Sequence, residues 1–214
     1  MAQDQEGRLV IGIDYGTTYT SVAFAYDNGK GRLTIRDIQL VTDWPGPSKD
    51  VTDNKVPSEV AYSDQKFEWG NKIRHRNQCE AWTKLLLDET YSKGQLKVIQ
   101  ELFHSDTDLT QHEDDATPAI DAKPAPQLAK EPEEIVADFL SGIQAHLQSV
   151  LEARFGPMLQ GFRREVVITV PAVWSERAKN LMYKAVRNAE FNIDGTRVSM
   201  ITESGLLLFT SSKT

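Results

Sequence analysis

The sequence predicts a mixed α/β fold, in which one mixed sheet carries antiparallel and parallel strands beneath a helical layer. Three observations lead there. The opening residues up to Val41 read as strands joined by tight turns. Pro132 starts a long amphipathic run, and a strand, a helix and another strand follow that run as far as Thr202.

Arg8 to Asp14 (RLVIGID) is apolar and β-branched and runs into the turn-prone Tyr-Gly-Thr-Thr. A second strand-like run, Tyr19 to Tyr26, follows and completes a hairpin. Asp27-Asn28-Gly29 is the next turn signal, because Asn and Gly tolerate positive φ, and the alternation from Arg32 to Val41 predicts a third strand. Thr42 to Asn54, with two prolines and a glycine, is expected to be loop; Val56 to Tyr62 and Lys66 to Trp69 then pair as a short hairpin. Apolar residues at helical spacing predict helices over Glu80 to Asp88 and Gly94 to Phe103. The acidic, Pro- and Ala-containing stretch from Ser105 to Lys130 is expected to be a flexible insertion.

Behind it, Ile135, Val136, Phe139, Leu140, Ile143, Leu147, Val150 and Leu151 form one apolar stripe, with Pro132, Glu133 and Glu134 suited to a helical first turn. Glu165 to Val170 (EVVITV) has the continuous apolar character of a buried strand and is stopped by Pro171. Ser175 is positioned to cap a helix whose Ala178, Leu181, Met182, Ala185, Val186 and Ala189 share a face, and Arg197 to Thr202 is the last strand.

Composition narrows the function. With 40% hydrophobic residues the chain can bury a substantial core, and a net charge of −7 without a basic block argues against a nucleic-acid reader. Cys79 is the single cysteine, which excludes an internal disulfide framework and a multi-cysteine zinc site and suits a reducing, cytoplasmic compartment. The polar start and the early Asp14 fit neither a signal peptide nor a membrane span. The four histidines show no metal-ligand spacing.

Chemistry concentrates in IGIDYGTTYTS, Ile11 to Ser21. A carboxylate stands at the end of a buried strand, followed by a glycine and two threonines. Gly16 lets the backbone turn without a Cβ in the way. The amides of Thr17, Thr18 and Tyr19 can then converge on phosphate oxygens, aided by two hydroxyls. Asp14 is suited to holding the water shell of Mg²⁺, an ion that takes only one or two carboxylates. An ordinary hairpin turn uses the same residue types; what favours a phosphate site is the whole run of apolar strand, Asp, Gly-Thr-Thr and second apolar strand. Neither a Walker loop nor a dinucleotide glycine fingerprint occurs.

DYGTTYTSVA resembles the first phosphate motif of the DnaK-like, seventy-kilodalton heat-shock chaperones, within the actin-like ATPase superfamily. VVITVPAVWSERAKNLMYKAVRNAEF, Val166 to Phe191, is similar to that family's connecting strand, Val-Pro-Ala turn and helix, and TDWPG at Thr42 and WTKLLLDE at Trp82 resemble segments of its divergent fungal members. The resemblance spans Val10 to Glu203 without the acidic insertion. It implies an actin-like, ribonuclease-H-like lobe from Arg8 onward that binds ATP or ADP with Mg²⁺, in a chaperone active in stress responses whose partners are unfolded clients or co-chaperones. Asp14, Gly16, Thr17, Thr18 and Tyr19 are then the phosphate and metal residues.

The resemblance also implies that Glu203 helps arrange the metal waters, a surface carboxylate at a strand end being the alternative. A catalytic lysine is expected after the short hairpin, with Lys72 nearest in order and Lys84 the runner-up. Pro171 corresponds to a proline that couples nucleotide state to the partner domain, or simply ends its strand; Arg177 is closer to it than the family's arginine partner. The family's second Gly-rich phosphate turn, its adenosine motif and its substrate-binding domain have no counterpart here, and similarity stops at Ser204. One lobe is expected to hold phosphate from one side, bind weakly, and hydrolyse slowly or not at all. Two further readings follow: an interaction module without turnover, with Leu206 to Phe209 as a candidate contact, and a sugar-kinase fragment, disfavoured by VPAVW.

Overall fold

The computed structural model describes residues 7–29, 31–47, 54–63, 66–74, 79–88, 130–191 and 195–203. Nine strands are described: β1 (Arg8–Tyr15), β2 (Tyr19–Asp27), β3 (Gln39–Leu40), β4 (Val56–Pro57), β5 (Val60–Ser63), β6 (Lys66–Trp69), β7 (Cys79–Glu80), β8 (Arg163–Val170) and β9 (Arg197–Thr202). Two α-helices join them, α1 (Pro132–Phe155) and α2 (Glu176–Asn188).

The main sheet runs β3-β2-β1-β8-β9, with β4 paired to β2. β2 is antiparallel to β1, whereas β8 and β9 are parallel to it, so the sheet is mixed, as expected. Helix α1 carries the chain towards β8 and α2 links β8 to β9, which are the crossovers that parallel strands require. A second sheet, β6-β5-β7, is antiparallel.

The core lies between the main sheet and α1. Leu9, Ile11, Ile13 and Tyr15 alternate along β1 with more exposed neighbours, and Val166, Ile168 and Val170 do the same on β8; all seven are buried. The stripe read from α1 is buried against them, with Val150 only partly covered. Pro132 occupies the first turn, and the Glu134 carboxylate accepts the Glu131 amide at 2.8 Å, so two of the features that start the helix were visible in the sequence. Ser175 caps α2 by accepting the Ala178 amide at 3.2 Å.

Gly142 joins the second sheet to this core. A Cβ at that position would lie 2.4 Å from the Trp69 indole, so only glycine lets the ring rest on the helix. Trp69 then meets Phe139 edge to face at 6.0 Å. A network at the start of α1 ties the same sheet down: Tyr62 Oη donates to Asp138 at 2.7 Å, and Lys130 pairs with that carboxylate while lying over the Tyr62 ring.

Three expectations change. The strand predicted from Arg32 to Val41 is reduced to Gln39–Leu40, because the Asp37 carboxylate accepts both the amide (2.7 Å) and the hydroxyl (2.8 Å) of Thr34 and folds Ile35–Asp37 into a single 3₁₀ turn. These bonds also hold the Asp37 carboxyl below the usual aspartate range. Val56 to Tyr62 splits between the two sheets, so only Val60–Ser63 pairs with Lys66–Trp69. Glu80 to Asp88 contributes a short strand and a 3₁₀ helix, Thr83–Leu87, instead of an α-helix. The helix expected at Gly94 to Phe103, nearly all of the acidic insertion, and Leu206 to Phe209 lie outside the described residues. No described helix is long and apolar enough to cross a membrane.

Candidate functional site

The turn between β1 and β2 is tight because of Gly16. A Cβ there would lie 2.2 Å from the Tyr19 carbonyl oxygen, a distance no side chain can occupy, so the glycine is required by space inside the turn. Its φ is not positive, unlike that of Gly29. No carbonyl of the described backbone accepts from the amides of Gly16, Thr17 or Thr18. Those donors therefore stand at a solvent-accessible bend, flanked by the two threonine hydroxyls. Tyr19 is 44% exposed.

The bend is fixed from one side. The Ser58 amide donates to the Thr18 carbonyl at 2.8 Å, and the buried hydroxyls of Thr20 and Ser58 meet at 2.8 Å. The pairing of β4 with the start of β2 holds that contact in register.

From the other side, Asp14 is anchored to β8. Its Oδ1 accepts the Thr169 hydroxyl at 2.8 Å, and the carboxylate as a whole remains exposed. Thr169 stands next to the carboxyl end of β8, as Asp14 does on the parallel β1. One carboxylate oxygen is thereby oriented while the other keeps capacity for water or a cation.

The third contribution comes from the 3₁₀ helix Thr83–Leu87. Tyr15, directly after Asp14, is fully buried, and its hydroxyl shares a 2.6 Å hydrogen bond with the buried Thr83 hydroxyl. Burial pushes the Tyr15 phenol well above the usual tyrosine range, an effect the bond to Thr83 only partly offsets. Lys84 follows Thr83 and is itself buried, 4% exposed. Its ammonium lies 5.9 Å over the Trp174 ring and donates to Glu203 Oε1 at 2.6 Å. Glu203 comes directly after β9 and is 47% exposed, so the pair is sealed on the lysine side and open on the carboxylate side.

Asp14, Thr169 and Glu203 thus stand at the carboxyl ends of three adjacent parallel strands, β1, β8 and β9, where open α/β sheets collect ligands. Of the two lysines considered from sequence, Lys84 is the one joined to Glu203. Lys72 is exposed, with its ammonium 5.5 Å over the Trp69 ring. Pro171 ends β8, and its carbonyl accepts the Trp174 amide at 3.3 Å.

Thr169 and Ser58 were missed from sequence. Thr169 did leave a trace, as a hydroxyl inside the apolar run EVVITV two residues before a strand-ending proline. Ser58 left none, since its role comes only from pairing across the sheet. Among the described residues no three His, Cys, Asp or Glu side chains come together as a metal site. No protein-family model matches the chain, and no curated protein matches it either.

Proposed function

We propose that the chain is the phosphate-holding lobe of an actin-like, ribonuclease-H-like ATPase of the seventy-kilodalton heat-shock type, with the phosphates of Mg·ATP received by the bend from Asp14 to Tyr19. The observation that carries this reading is the convergence at one sheet end of a tight Gly-Thr-Thr bend whose amides have no backbone acceptor among the described residues, an oriented but exposed Asp14, and the Lys84–Glu203 pair. The strand order gives further support: an antiparallel meander followed by two parallel strands reached through helices is the order expected of such a lobe.

In this reading the amides and hydroxyls of Thr17 and Thr18 receive phosphate oxygens, and Asp14 holds waters of the metal. Mg²⁺, when bound, supplies neutralisation of phosphate charge. Lys84, buried and donating to Glu203, fixes that exposed carboxylate at the edge of the site, whereas Lys72 is solvated over Trp69. By the same resemblance the lobe would serve an ATP-dependent chaperone with unfolded clients or co-chaperones as partners.

Calorimetric titration of Mg·ATP into the purified chain tests the reading. Saturable binding is expected, weakened about tenfold or more in Asp14→Asn, which keeps the shape of the side chain but removes its charge. Absence of binding by a folded chain, or equal binding by the variant, would overturn it. That result would favour an interaction module instead, a reading to which the exposed Ile35, Ile38 and Leu40 along the β3 edge lend some support.

A further inference from the structure

At the opposite end of the same strands, between α1 and the main sheet, lies a cleft of about 620 Å³, within the size range of small-molecule sites. Its floor is apolar, formed by Ile11 and Val166 of the sheet and by Leu147 and Leu151 of α1, all buried. Phe162 and Phe191 add aromatic surface.

One charged group stands out. Arg164, the second residue of β8, is half-buried in the wall of this cleft, and its Nη1 donates to Gln148 Oε1 at 3.0 Å. Gln148 is itself oriented, because its Nε2 donates to Glu152 at 2.7 Å, and this turns its oxygen towards the guanidinium. Among the described residues no carboxylate lies within 4.0 Å of Arg164, although the chain has 31 acidic against 24 basic side chains. The neighbouring Glu165 pairs with Arg8 instead. A partly desolvated guanidinium that has five donors and satisfies one of them with a neutral amide keeps capacity for a planar anion.

We propose that this cleft binds a small amphipathic carboxylate, its acid group on Arg164 and its aryl or alkyl body on the Leu147–Leu151 floor. The Gln144 amide lines the same wall and is available for a second hydrogen bond to the acid. Glu190, exposed at the rim, opposes a second negative charge and so favours a monocarboxylate over a dicarboxylate. The site is independent of the nucleotide reading, since it shares no residue with the Asp14 end of the sheet.

The test is a titration of the full chain with phenylbutyrate and with its neutral analogue phenylbutyramide, followed by amide chemical shifts. Saturable binding of the acid is expected, with shifts centred on Gln144, Gln148 and Phe191 and affinity about tenfold or more above that of the amide. Arg164→Gln should abolish that preference while leaving the near-ultraviolet dichroism of the chain unchanged. If the variant does not fold, the acid-against-amide comparison on the natural chain decides. Equal affinity for the two compounds, shifts centred elsewhere, or no saturable binding would each overturn the proposal.

Discussion

The two ends of β1 and β8 handle charge in different ways. At the amino end Arg8 bridges Asp27 (3.1 Å) and Glu165 (3.4 Å), and its side chain is half exposed. At the carboxyl end the Lys84 ammonium is buried against Trp174, and Asp14 is oriented by a hydroxyl from the next strand. Both ends use partners distant in sequence, so topology alone does not separate them. The difference lies in what stands behind each pair: solvent around Arg8 at the amino end, and around Lys84 at the carboxyl end a layer of packed side chains that fixes direction. Where solvent surrounds a pair it screens the pair, so the amino end should tolerate change that the carboxyl end does not.

The largest break expected is Phe139→Ala. Phe139 is fully buried and touches Tyr15 (centroids 5.7 Å apart) and Trp69 (6.0 Å), so it supports both the segment bearing Asp14 and the second sheet. Losing the ring should cost about 3–5 kcal/mol in urea unfolding. A loss below about 1 kcal/mol would mean that the carboxyl end does not depend on this packing.

Next comes Gly16→Ala, which isolates the bend. Its Cβ would meet the Tyr19 carbonyl oxygen, so the turn must open, at a cost of about 1–3 kcal/mol. Any Mg·ATP affinity should fall further than stability does, because opening the turn displaces the Thr17 and Thr18 amides proposed to receive the phosphates. Unchanged affinity in a folded Gly16→Ala chain would dissociate the bend from phosphate binding.

What could be read in advance follows the same division. The long helix, β1, β2 and α2 were legible because burial on one face imposes a period, which Ile11, Phe139 and Met182 report directly, while β8 was legible as a continuous apolar run. The hairpin around Gly16 was legible because its residue types have few other uses together. The region from Arg32 to Val41 was misread because Thr34 and Asp37 bond locally while Ile35 remains 84% exposed, so its apolar alternation did not reflect burial. Thr169 and Lys84 acquire their partners across more than a hundred residues of chain, and no local pattern announces such a meeting.

A smaller, pH-dependent effect sharpens the comparison through Tyr15. Its folded pKa is raised by burial, so the folded state retains the phenolic proton more tightly than the unfolded chain, whose tyrosines titrate near about 10. The contribution is fully present below that pH and is lost as pH climbs from there towards the raised folded value. Tyr15→Phe should therefore cost about 1 kcal/mol at neutral pH, from the bond lost to Thr83, yet flatten the alkaline decline in stability. Part of the decline should persist, because burial and the nearby Asp138 also raise Tyr62. Urea midpoints measured from neutral to strongly alkaline pH would show both effects; an unchanged slope in Tyr15→Phe would place the alkaline sensitivity elsewhere.

The smallest expected effect is at the amino end. Arg8→Ala removes both of its ion pairs at once, yet each is made by a half-exposed guanidinium, so the loss should stay below about 1 kcal/mol and shrink further as salt is added. The strand register does not depend on it, since Leu9, Ile11 and Ile13 fix which face of β1 is buried. Thermal unfolding of Arg8→Ala at low and high ionic strength checks this. A loss of several kcal/mol that persists in high salt would show that the amino-end pairs are held as firmly as Lys84 and Glu203, and the contrast between the two ends would then rest on chemistry alone.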